Sequence, residues 1–290
     1  MSRVVVTGGS GKLGRAVVAD LVSHGHDVAL FDRARPTGLS GEVLARVDYL
    51  PVDLTDYGQV LDAMLGVEER WSHVDALVHL AAVPAPGLVP DHATFTNNMN
   101  ASFSVVSAAR HAGVKKIVWA SSETVLGLPF DTPPPYVPVD EDYPPRPEST
   151  YSLTKTLEEE LARQLCRWDP ELSMIGLRFS NVMDVEDYAL FPSYDADATV
   201  RKWNLWGYID ARDGAQAVRR GLEHPTPGAE VFIVANADTV MSRSSASLVA
   251  EVFPGVEVRH ELDEHETLLS IAKARRVLGY APEHSWRDHV

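Results

Sequence analysis

Short apolar runs alternate with longer amphipathic segments from residue 1 to about residue 180. The apolar runs have the length of buried strands, and the segments between them carry apolar residues at helical spacing. Strands are predicted at 4–6, 28–31, 47–52, 76–80, 116–120 and 174–179, and helices at 13–21, 59–65, 96–111 and from 151 onwards. This alternation is typical of the α/β class. We therefore predict a Rossmann-type doubly wound parallel sheet with helices on both faces.

The pattern weakens beyond residue 181, where a smaller lobe is expected. Its clearest signals are helices at 211–223 and 244–253 and a strand at 231–235. A proline-rich, acidic stretch from 129 to 147 is interpreted as a surface loop, because strand and helix signals resume after it. We predict a Rossmann domain over 1–180 that carries the catalytic residues. A smaller C-terminal α/β lobe for the substrate, 181–290, is interleaved with it.

Composition narrows the class of partners and the cellular setting. The 290 residues include 41 acidic and 26 basic side chains, so the net charge of −15 disfavours binding to nucleic acid and to anionic membranes. The single cysteine, Cys166, cannot form an internal disulfide and is typical of a reducing compartment. The chain begins with a strand pattern rather than a signal peptide, and it holds no apolar run of membrane-spanning length. We expect a soluble cytoplasmic protein.

A glycine-dense turn joins the first strand to the first helix. Its sequence is Thr-Gly-Gly-Ser-Gly-Lys-Leu-Gly, from Thr7 to Gly14, and it includes Gly8 and Gly11. Glycines let the backbone approach a pyrophosphate, and the helix start supplies unpaired N–H groups and a positive dipole end. Asp32 ends the second strand at about the spacing expected of an acid that binds ribose hydroxyls. The alternative is an ordinary turn, but the order strand, turn, helix and acid predicts a dinucleotide site.

The charges after the second strand bear on the choice of dinucleotide. Asp32 would accept hydrogen bonds from both ribose hydroxyls of NAD, and its charge would repel the 2′-phosphate of NADP. Arg33, the next residue, could instead pair with that phosphate. We predict NAD as the cofactor, with NADP as the less favoured alternative.

A tyrosine and a lysine lie one helical turn apart in the segment Tyr-Ser-Leu-Thr-Lys, from Tyr151 to Lys155. Their side chains share one face of the helix. An ammonium beside a phenol stabilises the phenolate and lowers its pKa, so Tyr151 could act as a base. Lys155 could also bond the nicotinamide ribose, and Ser122, at a strand tip, could orient the substrate oxygen. The alternative is an exposed helix pair, and the glycine turn and strand-tip serine favour catalysis.

Together these motifs resemble the extended short-chain dehydrogenase/reductase family, the NAD-dependent epimerase/dehydratase group, over nearly the whole chain. The glycine turn is similar to the family's TGGxGxxG motif, and Ser-Ser-Glu-Thr-Val-Leu-Gly to its SSxxVYG block. The resemblance implies that Ser122 supplies the catalytic hydroxyl, that Tyr151 is the base and that Lys155 anchors the cofactor. The predicted contacts to the rest of the cofactor are Gly8, Gly11, Lys12, Leu13, Gly14, Asp32, Arg33, Asp53, Leu54, Leu80, Ala81 and Ala82.

Further residues take their expected roles from the resemblance. Asn98 matches the helix asparagine that supports the catalytic lysine or the kink of the active-site helix, and it is counted with the catalytic and cofactor residues. Arg178 and Asn181 match the Arg-x-x-Asn-Val block that opens the substrate side. Glu123 follows the catalytic serine, where dehydratases place an acid in a Thr-Asp-Glu block. The order Ser-Glu-Thr found here disfavours dehydration, and we expect Glu123 to line the substrate site.

Departures from the family pattern predict a small substrate pocket. Leu126 stands where the family has a tyrosine, and the block that usually reads Asn-Val-Tyr-Gly-Pro is Asn-Val-Met-Asp-Val. The interval from Asn181 to Trp206 is shorter than the insertion that grips the nucleotide in nucleotide-sugar enzymes. The chain is therefore more similar to uronate-dehydrogenase-like members, which oxidise a free sugar acid. Arg201 lies where an arginine could bind a substrate carboxylate, and a solvated surface charge is the alternative.

A cluster of polar residues late in the chain raises the question of a metal site. It comprises His260, Asp263, Glu264 and His265. Their spacing does not match the His-x-x-x-His pattern of a helical metal motif. We interpret the cluster as an exposed acidic turn and predict no metal.

These inferences predict an NAD-dependent oxidoreductase that removes hydride from a secondary or anomeric carbon of a sugar or sugar acid. The substrate is expected to contact Ser122, Glu123, Tyr151, Asn181 and Arg201. The alternatives are a nucleotide-sugar 4-epimerase with tightly held NAD and, from another class, a catalytically silent NAD(P)-binding regulator. The helices at 96–111 and 151–167 resemble those of a four-helix dimer interface in the family. We expect a homodimer, although the same apolar stripes could face the sheet.

Overall fold

The fold is that of a computed structural model, which describes residues 2–66 and 70–289 and contains eleven strands in these ranges. In chain order they are β1 (Arg3–Thr7), β2 (Asp27–Asp32), β3 (Val47–Pro51), β4 (Ala76–His79), β5 (Lys116–Ser122), β6 (Tyr136–Val137), β7 (Ser173–Phe179), β8 (Val182–Met183), β9 (Ile209–Asp210), β10 (Gly228–Val234) and β11 (Glu257–Val258). Seven of them form the central sheet, in the order β10-β7-β5-β4-β1-β2-β3. All its strand pairs are parallel.

Helices cover both faces of this sheet. The α-helices of the described residues are α1 (Lys12–Ser23), α2 (Gly41–Leu44), α3 (Tyr57–Leu65), α4 (Asp91–His111), α5 (Thr150–Trp168), α6 (Ala211–Glu223), α7 (Ser245–Val252) and α8 (Ala272–Leu278). Helices α1 and α6 pack together on one face, and α3, α4 and α5 pack side by side on the other. Every crossover between parallel strands needs such a covering element. The predicted Rossmann-type α/β fold is confirmed.

The central strand β1 shows why the apolar runs become buried strands. Val4 and Val6 belong to the hydrophobic core under α1 and α6, whereas Val5 belongs to the core under α3, α4 and α5. Successive strand residues point to opposite faces, and both faces are covered, so a run without polar interruptions is required.

The functional edge of the sheet follows from its topology. Strand β1 pairs with β2 on one side and with β4 on the other, so the chain order reverses at this point. Ligands of open parallel sheets bind at such a reversal, beyond the carboxyl ends of the strands. The residues at those ends include Thr7, Asp32, His79, Ser122 and Phe179.

The C-terminal part of the chain contributes to both the sheet and a smaller region. Strand β10 pairs with β7 at the sheet edge, while two small sheets, β8–β9 and β6–β11, lie outside it. The division at 180/181 stays a prediction.

Helix α4 begins at Asp91, directly after Pro90, and not at residue 96 as predicted. Its first turn is polar and therefore lacks the apolar spacing from which the helix was predicted. None of the helices in the described part of the chain is long and apolar enough to cross a membrane.

Candidate active site

The glycine turn forms one wall of a cleft of about 1200 Å³ at the sheet edge. Gly8 has φ of +74°, and a Cβ there would lie 2.6 Å from the Ala81 nitrogen. A Cβ on Gly14 would lie 2.2 Å from the Gly8 carbonyl oxygen, so neither position admits a side chain. Helix α1 starts at Lys12 without a side-chain cap, which leaves N–H groups for an anionic ligand.

The predicted cofactor residues lie along this cleft. Its lining includes every one of them except Asn98: Gly8, Gly11, Lys12, Leu13, Gly14, Asp32, Arg33, Asp53, Leu54, Leu80, Ala81, Ala82, Tyr151 and Lys155. The Asp32 carboxylate accepts the Ser10 N–H at 3.2 Å, which ties the glycine turn to the end of β2. A glycine-lined anion site and a carboxylate at the ribose position fit a dinucleotide without a 2′-phosphate.

The end of α1 nearest the cleft is tied to the segment after β8. The Lys12 ammonium bonds the Asp187 carboxylate, and Arg15 lies 3.3 Å from the Asp184 carboxylate. Asp184 belongs to the Asn-Val-Met-Asp-Val block in which the chain departs from the family pattern. Lys12 is therefore at the cleft, but its charge is already paired.

Ser122, Tyr151 and Lys155 line the same cleft. Ser122 ends β5, and its Oγ accepts the Thr124 N–H at 3.1 Å. Helix α5 starts at Thr150 with a capping box between Ser149 and Ser152, which fixes Tyr151 in its first turn. The Lys155 Nζ lies 5.9 Å from the centroid of the Tyr151 ring, on the same helical face. The structure thus brings the three predicted catalytic side chains together.

The pKa of Tyr151 differs from the sequence-based expectation. Burial of the ring raises this pKa above its usual value, although the Lys155 charge and the Ser122 hydroxyl both act to lower it. The ammonium therefore lowers the pKa of Tyr151 as predicted, but burial of the ring has the larger effect. Desolvation favours the neutral phenol, and the lysine offsets only part of this effect.

Lys155 is buried and fully oriented. Its Nζ donates to the Ala120 carbonyl oxygen at 2.8 Å and to Glu158 Oε2 at 2.9 Å. Burial is the largest single effect on its pKa and acts to lower it, but the charge and hydrogen bond of Glu158, together with Tyr151 and Glu159, raise the pKa above its usual value. The side chain is thus held as an ammonium beside Tyr151.

Glu123 is buried in the wall of the cleft. Its carboxylate accepts the Ser180 hydroxyl at 2.6 Å and the Asn204 amide at 3.2 Å. Burial raises the pKa of Glu123 to about 7, against the opposing effects of these hydrogen bonds and of the Arg201 charge. Both Glu123 and Asn181, which sequence analysis assigned to the substrate side, line the cleft.

Arg201 takes a different position from either sequence-based interpretation. It is only 6% exposed, so the solvated surface charge is wrong. Its guanidinium lies over the rings of Tyr194 and Trp203, 5.4 and 4.7 Å from their centroids, and donates to the Gly207 carbonyl oxygen at 3.2 Å. Arg201 is not part of the cleft lining, so this geometry does not support a contact with a substrate carboxylate.

Asn98 supports the cleft but not the lysine. Its amide accepts the Val83 N–H at 2.8 Å and donates to the Val83 carbonyl oxygen at 3.1 Å. It therefore fixes the backbone that follows β4, whereas Lys155 is held by Ala120 and Glu158. A role of Asn98 at the kink of the active-site helix stays a prediction. Arg178 also has a supporting role, since it forms a two-pronged ion pair with Glu159.

A chain of buried polar residues that was not predicted from the sequence lies behind Lys155. They are Thr7, His79, Ser102 and Glu158. Two signals pointed to them: a histidine within an apolar strand, and a glutamate on the apolar face of an amphipathic helix.

The late polar cluster gives no metal centre. His260 Nε2 lies 2.9 Å from Glu266 Oε1. Over residues 2–66 and 70–289, no group of three or more histidine, cysteine, aspartate or glutamate side chains could hold a metal ion.

Comparison with known proteins identifies the family. Residues 4–235 match the NAD dependent epimerase/dehydratase family. The chain belongs to this family. The predicted resemblance is confirmed. NAD as the cofactor is confirmed as well, because the family is NAD-dependent.

Curated members of the family with similar sequences include several epimerases. The UDP-glucose 4-epimerase of Bacillus subtilis (strain 168) is 31% identical over 183 residues, 61% of this chain and 52% of that protein. The UDP-glucose 4-epimerase of Lactobacillus helveticus is 26% identical over 329 residues, 99% of this chain and 94% of that protein. The chain thus aligns with about half the length of the first of these relatives and with nearly all of the second.

Solved structures of family members share the fold. A UDP-galactose 4-epimerase is 26% identical with a TM-score of 0.68, over 98% of this chain and 94% of that one. A short-chain dehydrogenase/reductase superfamily protein from Agrobacterium tumefaciens with bound NAD is 25% identical with a TM-score of 0.72, over 98% and 94%. A mutated uronate dehydrogenase, 23% identical with a TM-score of 0.68 over 100% and 85%, shows the fold alone.

Proposed function

We propose that this family member is an NAD-dependent oxidoreductase that takes hydride from a secondary or anomeric hydroxyl carbon of a free sugar. One observation carries the proposal: Ser122, Tyr151 and Lys155 line the same cleft as the glycine turn and Asp32, which fit a dinucleotide. Their three functions are those that alcohol oxidation needs, namely a base, a cation beside it and a group that orients the oxygen.

Each side chain has a defined part in the reaction. When bound, NAD⁺ would supply the acceptor for the hydride that the substrate carbon loses. Ser122 holds the substrate oxygen, and Tyr151 accepts the proton of the hydroxyl group as the carbon loses its hydride. Lys155 donates to the ribose of the cofactor and stabilises the phenolate, which burial disfavours. Asp32, in the same cleft, would hold the adenosine ribose.

The charges in the cleft support an uncharged substrate. Among the described lining residues the cations are Lys12 and Arg33, on the cofactor side, and the catalytic Lys155. The substrate side carries Glu123 and Trp203 instead, with no lysine or arginine among the residues described there. Carboxylates and diphosphates are typically bound by such cations. A neutral sugar therefore fits this wall better than a sugar acid or a nucleotide-sugar.

A nucleotide-sugar 4-epimerase is the second candidate, since both curated relatives described above carry that name. It would use the same three catalytic side chains without net consumption of NAD. A silent regulatory protein is less supported, because the complete set of catalytic side chains is present and oriented.

The two enzymatic candidates differ in the fate of the nicotinamide. Purified protein is mixed with NAD and a panel of neutral sugars, uronic acids and UDP-sugars, and NADH is followed by absorbance. We expect NADH to accumulate with a neutral sugar. An isomer formed from a UDP-sugar without accumulation of NADH would instead establish the epimerase.

A homodimer stays a prediction, and exposed side chains on α4 and α5 support it. Phe95 and Phe103 on α4 are 36% and 56% exposed, and Leu153 on α5 is 40% exposed. The two helices lie side by side, so these residues could form one apolar interface. Analytical ultracentrifugation is expected to give twice the chain mass for the wild type and the single mass for Phe103→Glu. A monomeric wild type would refute the dimer.

A cytoplasmic location also stays a prediction. It is supported by the lone cysteine, Cys166, which is buried in α5 and cannot form an internal disulfide. Burial raises its thiol pKa to about 11, so it is a poor nucleophile. Fractionation of the native cells with an antibody against the protein tests the location.

A further inference from the structure

Glu158 connects the catalytic lysine to the buried polar residues by hydrogen bonds. It lies on α5 three residues after Lys155, and both side chains are only 3% exposed. Glu158 Oε2 accepts the lysine ammonium at 2.9 Å, and Glu158 Oε1 accepts the Ser102 hydroxyl at 2.7 Å. Both carboxylate oxygens are therefore engaged, each with a different element of the fold.

A line of hydrogen bonds continues from Ser102 to the start of the glycine turn. The Ser102 Oγ lies 3.1 Å from His79 Nε2, and His79 Nδ1 lies 2.7 Å from the hydroxyl of Thr7, the residue before Gly8. Burial, together with the Lys155 charge, lowers the pKa of His79 to about 3, so its ring is neutral and donates once. Since Ser102 donates to Glu158, His79 Nε2 must donate to Ser102, and Thr7 to His79 Nδ1.

All the donors in this line therefore point towards one carboxylate. Thr7, His79 and Ser102 are each less than 5% exposed. A buried carboxylate is stable only when charged and polar partners satisfy it, and here an ammonium and a hydroxyl do so. The line joins β1, β4 and α4 to α5 at the catalytic lysine.

We propose that Glu158 is a positioning residue that sets the orientation of the Lys155 ammonium towards the cofactor ribose. This inference rests on the proposed function for its kinetic consequences but not for its binding consequence. An ammonium has three N–H groups. Two are directed to Ala120 and Glu158, so the third has a fixed direction and remains for the ribose.

The same carboxylate has an electrostatic effect on the base. The charge of Glu158 raises the pKa of Tyr151, in opposition to Lys155. The other titratable groups around the pair are Glu123 at the end of β5, Glu159 on α5 and His79 on β4. Of these, Glu159 is paired with Arg178 and His79 is neutral. Removal of the Glu158 charge should therefore lower the pKa of the phenol.

The test uses Glu158→Ala, Glu158→Gln and a matched control, Glu160→Gln, on the more exposed side of the same helix. The dissociation constant of NADH is measured by fluorescence titration, and kcat and KM for the sugar and NAD are measured across pH. We expect Glu158→Ala to weaken NADH binding about tenfold, the value of one charge-assisted hydrogen bond. The control should bind like the wild type.

Glu158→Gln keeps an acceptor for Lys155 but not the charge. We expect its NADH affinity to stay within about threefold of the wild type. The acid limb of the kcat/KM profile for oxidation should move to lower pH by at least about 0.5 unit, because the phenol ionises more easily. A merely structural role would lower stability without moving this limb. If Glu158→Ala does not fold, Glu158→Gln carries the test.

The outcomes separate the two proposals. Unchanged NADH affinity in a folded Glu158→Ala, or an unmoved acid limb in Glu158→Gln, would overturn the positioning role. Absence of oxidation by the wild type would overturn the proposed function, while the NADH titrations still decide the role of Glu158.

Discussion

Replacement of Glu123 by glutamine should remove part of the pH dependence of stability. Glu123 is only 3% exposed, and burial raises its pKa from 4.5 to about 7. The folded protein therefore binds this proton more tightly than the unfolded chain does. The stability contributed by the group is complete below pH 4.5 and is lost as the pH rises towards and through 7.

The magnitude follows from the shift. A difference of one pKa unit corresponds to about 1.4 kcal/mol, so the full loss is about 3 kcal/mol, of which about 2.5 kcal/mol falls between pH 5 and pH 8. Glutamine does not titrate and has nearly the same shape. It can still accept the Ser180 hydroxyl, which lies 2.6 Å from the carboxylate. Glu123→Gln should thus gain about 2–3 kcal/mol relative to the wild type between pH 5 and pH 8.

Urea unfolding of both proteins at pH 5 and pH 8 is followed by circular dichroism. It measures the double difference, which is the change in unfolding free energy from pH 5 to pH 8 in Glu123→Gln minus the same change in the wild type. Glu171→Gln, whose side chain is 82% exposed, is the control and should show no such change. A double difference below about 1 kcal/mol for Glu123→Gln would refute the argument, because the carboxyl would then titrate like an exposed acid.

Three further substitutions test the cofactor side and the core. Gly8→Ala places a Cβ 2.6 Å from the Ala81 nitrogen, so NADH binding should weaken by more than about tenfold. Near-normal NADH affinity in a titration would contradict the role of the glycine turn in cofactor binding. Asp32→Asn removes the charge that repels a 2′-phosphate, so the ratio of kcat/KM for NAD over NADP should fall, and an unchanged ratio would exclude that role. Arg178→Met leaves Glu159 buried without its cation, which should cost about 3–5 kcal/mol in urea unfolding; a loss below about 1 kcal/mol would show that the ion pair is dispensable.

The features that sequence analysis predicted correctly are those that local pattern determines. An apolar run such as Val4 to Val6 has to be buried on both faces, and this leaves little choice but a central strand. The glycine turn is equally constrained, because Gly8 and Gly14 have no room for a Cβ. The Tyr151–Lys155 pair is fixed by helical spacing alone.

Features that depend on burial and on distant neighbours were not accessible from the sequence. Arg201 is a basic residue in a polar segment, yet two aromatic rings cover it. Asn98 satisfies the backbone of Val83, a contact that requires knowledge of the path after β4. The net pKa shift of Tyr151 likewise depends on how completely the fold removes its ring from water.

The central claim is that Tyr151 is the base of a net oxidation, and Tyr151→Phe tests it most directly. Initial rates of NADH formation with the preferred sugar and NADH affinities are measured on the same preparations of both proteins. Loss of the phenol hydroxyl should lower kcat by about 10² to 10⁴, the contribution of a general base, while NADH affinity stays within about twofold. A Tyr151→Phe variant that forms NADH at the wild-type rate would contradict the account.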